Sequence, residues 1–267
     1  MGFDSLDDLI QEITVNDKIH DFPFFRYGTA PEAADVWHSY WALNGMPGAG
    51  SAPASTPGTA RTDAGGSIWF PNSAPDTKHI LTFGALATEN CVLMLYDRLV
   101  DVGAISIAGT GSKTVNSVAL PRYATGLGIE AWIEFTSAVT AGTPALSMSS
   151  YTSSDGTAGR AGTSLTLTAT PVLHSMWKLP LQAGDKGVRS VENLNVSALG
   201  TSGVLNVVLV KPLVYLPIAA SSWNEKDMVN QLHALERIYD GASLALAQFA
   251  TGTTATNVYG QLRVAYG

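Results

Sequence analysis

The amino-acid sequence predicts a mainly β fold: a β-sandwich or jelly-roll-like domain with an N-terminal helical arm and one short helix near the C-terminus. Three observations point there. Short runs of alternating apolar and polar residues recur from residue 67 onward. The 26 glycines and 13 prolines fall largely between these runs, where turns are needed. Charged residues make up only 14% of the chain while hydrophobic residues make up 46%, which describes a folding chain and not a disordered one. A surface so poor in charge has little to keep it apart from neighbouring proteins. At 267 residues the chain is long enough for one large domain, able to bury about 70% of its unfolded surface without disulfides.

The first element is a helix. Asp4 or Ser5 can cap it, Asp7 and Asp8 favour its positive end, and Leu6, Leu9, Ile10 and Ile13 share a face. Seven rings come next: Phe22, Phe24, Phe25, Tyr27, Trp37, Tyr40 and Trp41. Eight of the 22 acidic residues lie in the first 36 positions, so residues 1–46 read as an arm distinct from the rest of the chain. Residues 47–66 are Gly, Pro, Ser and Ala-rich without apolar periodicity, and read as a linker or long loop. Residues 67–267 read as the β domain. Within it Ile129, Ala131, Ile133 and Phe135 alternate with Glu130, Trp132 and Glu134, which puts the two sets on opposite sheet faces. The same period runs through 165–170 and 258–266, and further strands are expected at 80–87, 92–99, 103–108, 146–151, 188–196, 204–215 and 244–250. Ser222-Trp223-Asn224-Glu225 has the form of a capping box, with Met228, Leu232 and Leu235 at helical spacing and Gly241 placed to end the helix.

Several function classes are disfavoured. Net charge is −7 and no three Lys or Arg residues cluster, so no nucleic-acid partner is expected. No apolar run reaches the 18 residues of a membrane span. The acidic opening lacks the basic start of a secretory signal, and the mature protein is expected to begin at or near Met1. The single cysteine, Cys91, opens the apolar run 91–96 and reads as a buried, inert thiol.

Candidate chemistry is thin. Glu130 and Glu134 share a strand face, yet four strand residues span about 13 Å, beyond the roughly 5–9.5 Å of a glycosidase pair; a solvated face flanking Trp132 is the better reading. His20, His38, His79, His174 and His233 show no metal-site spacing. Gly109–Thr114 misses the phosphate-loop pattern because Ser112 precedes Lys113, and sits as a hairpin turn between the strand-like runs 103–108 and 115–120. Ser175-Met176-Trp177-Lys178 matches Ser-x-x-Lys without its companion motifs. No catalytic residue, metal or cofactor is expected. The rings of the arm can pack against the β domain or anchor it to a neighbour, a role Trp and Tyr favour; Phe22, Phe24, Phe25, Tyr27, Trp37 and Trp41 are the partner-binding candidates.

The opening Ser5-Leu6-Asp7-Asp8-Leu9-Ile10-Gln11-Glu12-Ile13-Thr14-Val15-Asn16 resembles the start of a group of tailed-bacteriophage virion proteins, in which such an opening leads to aromatic residues and a β-rich body. Asp240-Gly241-Ala242-Ser243-Leu244, Gly252–Thr256 and the short terminal strand resemble their ending. The likeness covers the two ends and the middle only in style. It implies a structural component of the particle, of the capsid decoration (cement) type. The expected partner is then the major capsid protein, with self-association as a homotrimer, and the place of action is the virion, assembled in the host cytoplasm. The alternative is a glycan-binding β module on a capsid or tail, with exposed Trp132 or Trp69 stacking on sugar rings.

Overall fold

A computed structural model of the chain describes residues 5–16, 18–51, 53, 57–62, 65–198, 202–229 and 235–267. One helix, α1 (Leu6–Thr14), precedes β1 (Ile19–Arg26), β2 (Val36–Ser39), β3 (Gly45–Met46), β4 (Thr59–Ala60), β5 (Lys78–Ala87) and β6 (Cys91–Ser106). The middle of the chain adds β7 (Gly111–Thr114), β8 (Glu130–Ser137), β9 (Ala145–Ser153), β10 (Leu165–Thr166), β11 (Ser175–Lys178) and β12 (Val188–Ala198). The remainder adds β13 (Val204–Ile218), β14 (Asn224–Asp227), β15 (Arg237–Ile238), β16 (Leu244–Ala250) and β17 (Val258–Tyr266). The chain is mainly β, as the alternation predicts.

Six of these strands close into a ring. β13 pairs with β8 on one side and β6 on the other, and β8, β11, β2, β16 and β6 succeed one another around it, antiparallel throughout. β4 adds to the far end of β6, outside the ring. Length makes the closure possible: β6 has 16 residues and β13 has 15, and at about 3.3 Å per residue each runs roughly 50 Å. β8 stops pairing at Glu130, opposite Val210, while β13 continues along β6 to Ile218, so the barrel wall opens at that end. The ring replaces the two facing sheets of the expected sandwich. Alternation along a strand tells which residues share a face, and is silent on whether the sheet curls back to meet itself.

A sheet packs on each side of the barrel. The four-stranded sheet β10-β9-β12-β7 faces one wall, with Leu146, Met148, Val191 and Leu194 buried against Ile133, Phe135, Leu205 and Val207 of the barrel. The sheet β14-β5-β17-β1-β3, with β15 also on β5, faces the other; Phe24, Phe83, Leu262 and Val264 bury against Leu93, Leu95, Leu244 and Leu246. The barrel interior is a third core, built from Met94, Tyr96, Trp132, Met176, Val208, Val210 and the small Ala245 and Ala247, with Trp41 packed into it.

α1 forms as the sequence indicates. The Ser5 hydroxyl accepts from the Asp8 amide at 3.1 Å, and Asp7 and Asp8 occupy the first turn. Leu9 buries on Leu81 and Ala265, whereas Leu6 and Ile10 remain exposed. Residues 19–46, expected as part of an arm, supply β1 between β17 and β3 and the barrel strand β2. In the 47–66 segment β4 pairs with β6, and Arg61 just beyond it reaches the barrel's ionic network.

Two expectations are overturned by pairing. Asn224–Asp227, placed in a C-terminal helix by its capping box, is a strand in register with Thr82–Ala85 on the edge of β5. A cap contributes only about 1 kcal/mol, and tertiary context overrides so weak a local preference: as a strand the segment closes the edge of β5 and lays Trp223 over Gly84. Leu232 of that expected helix lies outside the described residues. Gly111–Thr114, read as a turn, is a strand bonded to Asn193–Val196 of β12, and residues 115–120 carry no strand.

Candidate functional site

The six sequence-predicted partner residues divide by strand parity. Phe24 stacks on Phe83 with centroids 5.8 Å apart and is 2% exposed. Phe22, on the same face, meets Phe70 at 6.0 Å. Trp41 is 1% exposed, its indole nitrogen donating to the Ser51 carbonyl at 3.0 Å. These three are spent on the chain's own core. Phe25 and Tyr27 point the other way, rings 5.4 Å apart, onto the outer face of the β1-containing sheet. Trp37 faces the opening of the barrel.

The outer face carries an uncovered aromatic strip. Phe25 is directly opposite Tyr259, which is opposite Leu86, and Trp223 stands over Gly84 two residues along β5 from Leu86. Tyr27, Tyr259 and Trp223 are 46%, 41% and 53% exposed, high for rings on a sheet face that elsewhere is closed by Leu9 of α1. Between strip and helix, Arg263 donates to both oxygens of Asp21 at 2.7 and 2.9 Å; that hydrogen bonding lowers the Asp21 carboxyl below its ordinary value.

The second feature is a cleft of about 370 Å³ where the barrel wall opens. Trp37 lies at its centre: it pairs across strands with Met176 and Phe249, and its ring meets Phe249 at 5.6 Å, Trp132 at 5.9 Å and Tyr215 at 6.0 Å, all edge to face. Asp35, Glu130, Thr168 and Lys178 give the rim its polar groups. Glu130 accepts from the Trp132 indole at 2.9 Å and from the Lys178 ammonium. Burial, reinforced by Glu130, pushes the Tyr215 phenol up to about 12. Trp132, expected as an exposed stacking residue, is 3% exposed and contributes only an edge to the floor.

Behind the cleft the barrel encloses charge. Arg98 bonds Asp101 and Glu134, each at 2.6 Å, Arg61 bonds Asp101 at 2.5 Å, and the Arg98 guanidinium lies 4.8 Å from the Trp41 ring centre. On the other face of β6, outside the ring, Arg122 grips Asp97 with two nitrogens at 2.7 and 2.8 Å. Burial opposes the charge on Arg98, but Asp101 and Glu134 outweigh it and hold its pKa above the usual value. Glu134, expected on a solvated face with Glu130, is 2% exposed, because that face is the inside of a closed barrel. Burial also raises its pKa, and Arg98 more than reverses this to hold it low.

Among the described residues no group of three His, Cys, Asp or Glu is placed to hold a metal, and no helix is long and apolar enough to cross a membrane; His233 is outside them. Cys91 is buried, its thiol pushed up to about 12 by desolvation. Nothing in the sequence brings Tyr215, Trp223, Phe249, Tyr259 or Lys178 into these two features, since no spacing connects strands that only the fold makes neighbours. No family model, curated protein or solved structure matches this chain.

Proposed function

We propose that this protein is a structural component of a bacteriophage particle, a homotrimer that seats on the outside of the capsid, bridges major capsid protein subunits and stabilises the shell without catalysing a reaction. The resemblance of both chain ends to virion proteins and the low charge support the reading. The observation that carries it is the strip Tyr27–Phe25–Tyr259–Trp223 on a rigid sheet. A ring of this kind buries roughly 150–250 Å² when fully covered; with about half of each already covered by the chain, the four supply roughly 300–500 Å² of the ~800 Å² that one partner brings to a standard interface. Binding only the assembled shell stabilises it by mass action.

Co-sedimentation with mature or expanded capsids tests this. The protein is expected in the pellet, and Tyr259→Ser with Tyr27→Ser is expected to return it to the supernatant while leaving the fold intact. Wild-type protein that stays in the supernatant overturns the proposal.

A further inference from the structure

We propose that the cleft at the open end of the barrel is a binding site for a neutral saccharide, taking a pyranose ring against Trp37 and Tyr215 with its hydroxyls on Glu130 and Lys178. The inference stands apart from capsid binding, since the cleft and the exposed strip lie on different elements.

The shape and position fit a small-molecule site. Barrel mouths are recurrent ligand sites, and about 370 Å³ falls within the roughly 300–1,000 Å³ of such pockets. The floor and rim come from β2, β8, β11, β13 and β16, which are strands of the closed ring, so the site is held before any ligand arrives. Tyr215 is 41% exposed at its edge, presenting a ring to solvent beside the half-buried Trp37.

Chemistry selects the ligand. A pyranose has an apolar C–H face and a girdle of hydroxyls that both donate and accept. The cleft offers the complement: aromatic surface below, and at the rim a carboxylate touching an ammonium. A carboxylate has about four acceptor sites and an ammonium three donors. Trp132 and Lys178 occupy two of those on Glu130, and Glu130 occupies one on Lys178. About two spare acceptors and two spare donors thus stand side by side, as adjacent hydroxyls require. Asp35, in the turn before β2 and held by its amide to the Ala250 carbonyl at 2.8 Å, adds a second carboxylate to the rim. A quaternary ammonium fits poorly because Lys178 places a cation at the rim and neutralises Glu130. An anion meets the Asp35 carboxylate at the rim. A hydrocarbon would desolvate the Glu130–Lys178 pair with nothing in return.

The test is titration of tryptophan fluorescence in the purified full chain with methyl α-glucoside, methyl α-mannoside, methyl β-galactoside, maltotriose and cellotriose, with phosphocholine and sialic acid as comparators. At least one neutral sugar is expected to give a saturable change with a millimolar Kd, the range of single-ring recognition. Tyr215→Ala is expected to weaken it roughly tenfold, as loss of one stacking ring implies. Lys178→Met, a change at an exposed rim that spares the fold, is expected to weaken it several-fold. Trp69→Ala, away from the cleft, leaves it unchanged. No saturable response to any neutral sugar, a response confined to phosphocholine or sialic acid, or sugar binding indifferent to both Tyr215→Ala and Lys178→Met overturns the proposal. No capsid enters the assay, so its failure is separate from that of the capsid reading.

Discussion

Arg98 of β6 reaches across the inside of the barrel to Glu134 of β8 at 2.6 Å, and both side chains are sealed from solvent. Removing Glu134 leaves Arg98 and Arg61 to share Asp101, one uncompensated positive charge in a dry interior, which costs about 3–5 kcal/mol. Glu134→Ala is therefore expected to lower the melting temperature by roughly 6–20 °C at 2–4 °C per kcal/mol. The double variant Arg98→Met, Glu134→Met is expected to melt above Glu134→Ala, because no orphan charge remains. Thermal unfolding followed by circular dichroism checks both; a double variant weaker than the single shows that the pair itself, and not the orphan charge, sets the stability.

Glu32 gives a pH dependence of known sign. It is 4% exposed and accepts from the Thr256 amide at 2.9 Å and hydroxyl at 3.0 Å; desolvation outweighs these bonds and raises its pKa. A carboxyl that holds its proton more tightly when folded stabilises the native state as pH falls through the raised value, and its ionisation costs stability above it. Glu32→Gln is expected to gain melting temperature relative to wild type at pH 8, with the gain shrinking toward pH 4. A difference constant across that range excludes Glu32 as its source.

Trp223 occupies the space a side chain at Gly84 would need. Gly84→Val is expected to dislodge the indole, shift its emission to the red and free the short strand Asn224–Asp227, read as protease sensitivity near residue 224. Unchanged emission means that Trp223 does not rest on β5 in solution.

Cys91 is expected to resist thiol reagents at pH 8, because its thiol is buried and titrates near 12 and only the thiolate reacts. Labelling at the rate of global unfolding, measured against denaturant, is the expected result; fast labelling in native buffer contradicts the burial.

Local order is legible in the sequence and closure is hidden. The alternation of Ile133 and Phe135 with Trp132 and Glu134 marks β8 correctly, because the side-chain period of a strand is a property of the strand alone. Which side is wet depends on the ring, so alternation by itself puts Glu134 in solvent and Trp132 at the surface. Ser5 and Leu9 identify α1 because capping and burial act within one turn. Asn224–Asp227 misleads because the edge of β5 that captures it lies more than a hundred residues earlier. The cleft joins residues 35–37, 130–132, 176–178, 215 and 249, and nothing in their spacing announces that meeting. Of the aromatic candidates, Phe25 and Tyr27 lie on the exposed strip and Trp37 in the cleft, while Phe22, Phe24 and Trp41 serve the interior.

The register of β1 against β17, Ile19 with Ala265 through Arg26 with Val258, has a consequence for biosynthesis. β1 cannot pair until Val258–Ala265, more than two hundred residues further along the chain, have been made, so Phe24 waits on the nascent chain for Leu262. Pairing at such sequence separation is slow to form. A ribosome that stalls before Val258 releases a polypeptide with two staves, β1 and β5, missing the slat between them, and such a fragment is fit for aggregation or degradation but not for assembly.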